Sequence, residues 1–130
     1  MRKTAILFLM ICACCLYSFA IAQWKLEHLK KWAGEYPTYG KKYGNFFRLP
    51  EIEQPLKKLL TKKDFLLLTK GHKKEMPIDF GGEHLNVEVC GANDCAGCCR
   101  KVRLRINLKS GSLEVTFYED GQAPREYKTK

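Results

Sequence analysis

The sequence predicts an α+β domain, with short N-terminal helices packed on one face of a C-terminal antiparallel β-sheet. Three observations predict it. Apolar residues recur at helical spacing as far as about residue 74, and at every second position from Glu75 onward. Turn residues then divide the second half into strand-length pieces. Finally, 130 residues with 45% hydrophobic and 28% charged content suit one globular domain. Collagen-like, low-complexity and multi-span membrane chains are excluded, and the length is short for two well-filled cores.

Residues 1–22 read as a secretory signal peptide and residues 23–130 as the domain. Arg2 and Lys3 precede an uncharged apolar run from Ala5 to Phe19, and Ala20-Ile21-Ala22 offers an A-x-A-like cleavage site before Gln23. The run is short for a membrane span. The alternatives are a retained anchor, or a lipoprotein modified at Cys14 or Cys15. Cleavage removes Arg2 and Lys3 with no acid, so the formal charge falls from +9 to +7. It also removes Cys12, Cys14 and Cys15, leaving four of the seven cysteines. An even number in an exported chain points to disulfides. The expected location is therefore the periplasm or the secreted fraction, with no membrane span.

Residues 23–33 carry Trp24, Leu26, Leu29, Trp32 and Ala33 on one stripe, which predicts a short helix stopped by Gly34. Residues 35–45 read as irregular, with turns at Pro37, Gly40 and Gly44. Their tyrosines and lysines fit a stacking platform for bases or sugars; the plainer reading is that the tyrosines pack this loop onto the domain. Residues 49–60 form a second helix through Ile52, Leu56, Leu59 and Leu60, with Pro50 at the first position and Pro55 marking either a later start or a kink. Thr61 to Asp64 resembles a capping box for a third helix through Leu68, closed by Gly71.

Three strands follow. Leu85, Val87 and Val89 alternate with polar residues, as do Val102, Leu104 and Ile106, and then Leu113, Val115 and Phe117. Residues 76–80 add an edge strand, and turns fall at Lys109-Ser110-Gly111 and Asp120-Gly121. Pairing Ile106 with Leu113 and Val89 with Val102 keeps every apolar set on one face. It also sets Arg105 opposite Glu114 and Arg103 opposite Glu88. The basic stripe Lys101, Arg103 and Arg105 thus reads as a partly neutralised sheet face.

Cys90, Cys95, Cys98 and Cys99 fall within ten residues between two of these strands. The spacing of Cys90, Cys95 and Cys98 has the look of plant-type iron–sulfur ligation, but no cysteine follows Cys99 to supply a distant fourth ligand. A zinc site is hindered by the adjacency of Cys98 and Cys99. Cys95-Ala96-Gly97-Cys98 is a C-x-x-C without βαβ surroundings. Structural disulfides are expected, with no metal and no cofactor. Four cysteines allow three full pairings. A Cys90–Cys95 bridge would close a tight ring over Gly91, Ala92, Asn93 and Asp94, adding local rigidity more than stability. A stapled loop suits insertion into a partner's cleft, because preorganisation lowers the entropy lost on binding.

Cys90-Gly91-Ala92-Asn93-Asp94-Cys95, between two antiparallel strands, resembles the C-x-x-H-D-C loop of the inhibitor of vertebrate lysozyme family. The resemblance covers about 35 residues around the loop, together with the signal peptide and the helix-then-strand order. It implies an exported protein with helices on an antiparallel sheet, a disulfide joining Cys90 and Cys95, and a protruding loop that enters a lysozyme active site. Cys90, Asp94 and Cys95 match the pattern, while Asn93 stands where the family has histidine. An amide donates to a carboxylate but cannot carry charge. Cys98 and Cys99 lie outside the family pattern, and their pairing stays open.

The expected function is that of a non-enzymatic exported binding protein whose Gly91, Ala92, Asn93 and Asp94 loop blocks a peptidoglycan-cleaving enzyme. A variant of this reading is an immunity protein against a toxin delivered to the periplasm. The alternative is a cationic module that binds an anionic envelope polymer. Lys57, Lys58, Lys62, Lys63, Lys70, Lys73 and Lys74 lie in a stretch whose only acid is Asp64. Nucleic acid is not an expected partner of an exported chain. An enzyme is the weakest expectation, because His28, His72 and His84 occupy separate elements with no Ser, Cys or carboxylate motif beside them.

Overall fold

The computed structural model describes residues 25–91 and 100–130. Helices precede strands along the chain, giving the α+β arrangement. The first helix is not an α-helix but a 3₁₀ helix over Glu27–Trp32. Its buried residues Leu26, Leu29 and Trp32 recur every third position, and a helix of three residues per turn aligns such positions on one side. Ala33, expected on the stripe, is exposed instead. Gly34 ends the helix at a φ of +85°, and its N–H donates to the Ile78 carbonyl at 2.7 Å.

The loop beyond it ends where Asn45 caps a short 3₁₀ turn, Phe46–Arg48, its side chain accepting from the Phe47 N–H at 2.9 Å. That turn buries two adjacent phenylalanines. Helix α1, Pro50–Leu59, begins at Pro50 and runs on through Pro55. Of the two readings of Pro55, a later start or a kink, the later start is corrected: the proline removes one N–H, and burial of Ile52 and Leu56 on either side of it outweighs that loss. Helix α2, Lys62–Thr69, is capped by Thr61, whose hydroxyl accepts from the Asp64 N–H at 3.2 Å.

Six antiparallel strands form one sheet: β1 (His72–Glu75), β2 (Asp79–Gly81), β3 (His84–Gly91), β4 (Arg100–Asn107), β5 (Leu113–Glu119) and β6 (Arg125–Lys128). The register is the expected one, with Val89 opposite Val102 and Ile106 opposite Leu113. Glu88 opposes Arg103, and Glu114 opposes Arg105.

Strands β1 and β2 lie one after the other along the same edge of β3, pairing with its two ends. Residues 76–80 were expected to be one edge strand, but pairing is regular only over Asp79–Gly81. Pro77 has no N–H to donate, and Ile78 turns aside to donate to the Glu35 carbonyl at 2.8 Å. Strand β1 was not expected, and β6 completes the hairpin whose turn was expected at Asp120-Gly121, although its residues were not singled out as a strand.

Leu85, Val87, Val89, Val102, Leu104, Ile106, Leu113, Val115 and Phe117 line the inner face and pack with Trp32, Phe46, Phe47, Ile52, Leu56 and Leu68 into one core. The helices thus cover a single face of the sheet. On the opposite face, Arg103 meets Glu88 at 2.7 Å, and Lys101 and Arg103 flank the Tyr118 ring at 5.1 and 5.7 Å.

Candidate functional site

The candidate residues follow from Gly91, at the end of the paired strands β3 and β4. Strands β3 and β4 are paired without a break from His84 and Asn107 to Cys90 and Lys101. Both carry fully buried inward side chains over this length, so the two stems are held by the core itself. At the far end, Gly91 lies so close to Arg100 that a Cβ added at Gly91 would stand 3.1 Å from the Arg100 Cβ. Glycine therefore avoids a tight contact with Arg100 at this end of the strand pair.

Cys90 is buried and disulfide-bonded. Of the loop residues singled out in the sequence, Gly91 closes β3, whereas Ala92, Asn93, Asp94, Cys95, Cys98 and Cys99 lie outside the described residues.

The surroundings of the stem are basic. His72 pairs with Gly91 and Lys74 with Cys90, with the register shifting between them, while Arg100 pairs with Glu119. The shift leaves Lys73 as an extra residue on the edge strand, a bulge beside the loop stem.

The lysines of residues 57–74 are all exposed. Lys57 is bound to Glu53 at 2.6 Å. Among the described residues, no carboxylate lies within ion-pair distance of Lys62, Lys63, Lys70, Lys73 or Lys74. Asp64, the one acid of that stretch, turns inward instead. Arg125 donates to both of its oxygens, at 3.0 and 3.3 Å, and the Tyr127 hydroxyl donates at 3.1 Å. Burial pushes this carboxyl up, and the bonds from Arg125 and Tyr127 more than reverse it, so it ends below the ordinary value.

The histidines have partners that their chain positions hid. His28 binds Glu51 at 2.7 Å on the surface, where the bond holds the Glu51 carboxyl below its usual range. The His72 side chain is 3% exposed, and its Nε2 lies 2.7 Å from the Glu75 carboxyl, whose side chain is 0% exposed. Its Nδ1–H donates to the Leu68 carbonyl at 2.9 Å. Glu75 also accepts from the Thr38 N–H at 3.1 Å and from the Thr38 hydroxyl. This cluster pins the 35–45 loop and the end of α2 to β1, and its groups face protein rather than solvent. The tyrosines of that loop divide. Tyr43 packs on Trp32, with ring centroids 5.4 Å apart, while Tyr36 and Tyr39 are exposed.

The chain matches no family model, and no curated protein or solved structure matches it. No helix among the described residues is long and apolar enough to cross a membrane. Among the same residues, no group of three His, Cys, Asp or Glu side chains is placed to hold a metal ion.

Proposed function

We propose that this chain is an exported, non-enzymatic protein that blocks a peptidoglycan-cleaving enzyme with the loop of Gly91, Ala92, Asn93 and Asp94. The observation that carries the reading is the stem. The loop begins and ends on the two most completely paired strands of the sheet, with the buried, disulfide-bonded Cys90 at its base. A segment mounted on a rigid hairpin loses little entropy when it enters a cleft. Glycosidases of this class act through paired carboxylates, and the Asn93 amide has donors to offer one. A net positive chain meets a strongly basic lysozyme slowly, so a neutral or acidic enzyme is the favoured target.

The test is inhibition of peptidoglycan clearing by purified lysozymes of differing isoelectric point. Asn93→Ala should weaken inhibition about tenfold or more, the expected effect of ~1–3 kcal/mol lost with the amide donors, at an unchanged melting temperature. Inhibition by neither form, or equal inhibition by both, would remove the loop from the mechanism. Cys90→Ser/Cys95→Ser should weaken inhibition with Asn93 intact.

A second reading, binding to an anionic envelope polymer, is favoured by the exposed lysines of residues 57–74. Its signature is affinity that falls steeply with added salt.

A further inference from the structure

Beside the loop stem, α2 faces the ends of β4, β5 and β6 across a cleft of about 490 Å³. Lys63, Leu66, Lys70, Arg100, Glu119 and Arg125 line it. We infer that this cleft is a docking groove for an acidic peptide segment, carried by a protein partner, that presents an apolar residue among its carboxylates. The inference goes beyond the loop reading and holds whether or not the loop enters an enzyme.

Three observations carry it. The first is charge. Both acids of the cleft already face Arg125, Asp64 at 3.0 Å and Glu119 at 4.0 Å. Lys63 and Lys70 have no carboxylate partner among the described residues, so the groove keeps a positive field.

The second is Leu66. It is 40% exposed, and of the large hydrophobic side chains that stand open among the described residues it is the one aliphatic, the others being Tyr36 and Tyr39. Placed between Lys63 and Lys70 on α2, it provides an apolar contact inside a cationic rim. A hydrophilic polyanion gains nothing from that contact, whereas a side chain such as leucine does.

The third is shape. A flat bilayer surface does not enter a concave groove, but a protein segment does.

The experiment titrates the ¹⁵N-labelled full domain, residues 23–130, with the peptide acetyl-DELDELDEL-amide, following amide shifts. Parallel titrations use inorganic polyphosphate and vesicles containing one-quarter phosphatidylglycerol. The expected result is saturable shifts at Leu66, Lys70, Arg100 and Glu119 with the peptide. Lys63→Glu/Lys70→Glu should then weaken it by about tenfold or more, since like charges now face it. Leu66→Ala should weaken the peptide by about tenfold while leaving polyphosphate unaffected. Leu66 is open to solvent, so this variant is expected to keep its melting temperature.

Absence of saturable shifts overturns the inference. So does equal binding of peptide and polyphosphate with no response to Leu66→Ala, which marks the patch as a polyanion surface. Binding to vesicles alone marks it as a lipid surface and overturns it too. Asn93→Ala serves as the separating control: it should weaken loop-dependent inhibition about tenfold or more without changing peptide affinity, so either reading fails without the other.

Discussion

Arg125 on β6 holds Asp64 on α2 in a two-pronged grip, with nitrogen-to-oxygen distances of 3.0 and 3.3 Å, across sixty-one positions of chain. The Tyr127 hydroxyl adds a third bond at 3.1 Å. The last strand is thereby tied to the helical layer as well as to β5. The planar fork of arginine matches a carboxylate in this way, whereas lysine offers a single point charge.

Breaking this grip should cost stability. Arg125→Ala leaves the Asp64 carboxylate buried with one donor fewer on each oxygen, and should lower unfolding free energy by about 1–3 kcal/mol in urea titration at neutral pH. A loss within ordinary surface scatter would mean that solvent replaces Arg125 freely.

The same contact sets an acid limb. The folded Asp64 carboxyl sits below its ordinary value of 3.8, so the stability it contributes is present above that value. It is lost as pH falls through the lower folded value. Wild-type stability should therefore drop below about pH 4 more steeply than that of Asp64→Asn. Equal slopes for the two proteins in acid titrations would remove Asp64 as the source.

Leu104 lies on β4, between β3 and β5, and is fully buried. Leu104→Ala should cost ~2–5 kcal/mol, from lost burial and the cavity left behind. Arg105, its neighbour on the open face, is exposed, and Arg105→Ala should cost less than about 0.5 kcal/mol. Similar costs for the two would contradict the strand phase.

Glu75 joins β1 to the 35–45 loop through Thr38 and to α2 through His72. Removing a partner from a buried pair leaves the other uncompensated, so Glu75→Ala should cost about 3–5 kcal/mol. Hydrogen exchange should also quicken at Thr38 and along β1, while β4 amides keep their relative order of protection. Uniform acceleration everywhere would mean that the cluster does not pin a local segment.

Gly91 tests the loop stem. A side chain there meets Arg100 at the hairpin's end, so Gly91→Val should destabilise by about 1–3 kcal/mol through overpacking. A melting temperature equal to wild type would show that the two strands separate easily at this point.

The alternation of apolar and polar residues determined the three long strands and their register without reference to the rest of the molecule. Side-chain direction in a strand has a period of two, and a one-residue slip would have exposed Leu85, Leu104 and Val115 together. Thr61, Pro50 and Gly34 likewise act on backbone within a few residues of themselves, which is why the ends they set were legible. The cysteine spacing is a property of the sequence alone, and Asn93 and Asp94 lie outside the described residues.

Tertiary structure alone decided the remainder. His72-Lys73-Lys74-Glu75 and Arg125-Glu126-Tyr127-Lys128 lack the hydrophobic signal of a strand, because edge strands are held mainly by hydrogen bonds to a neighbour and use charge to discourage further pairing. The 3₁₀ form of the first helix follows from how Leu26, Leu29 and Trp32 meet the core. Asp64 with Arg125 and Glu75 with Thr38 are contacts between residues far apart in the chain, and only the packing of helices on the sheet brings them within bonding reach.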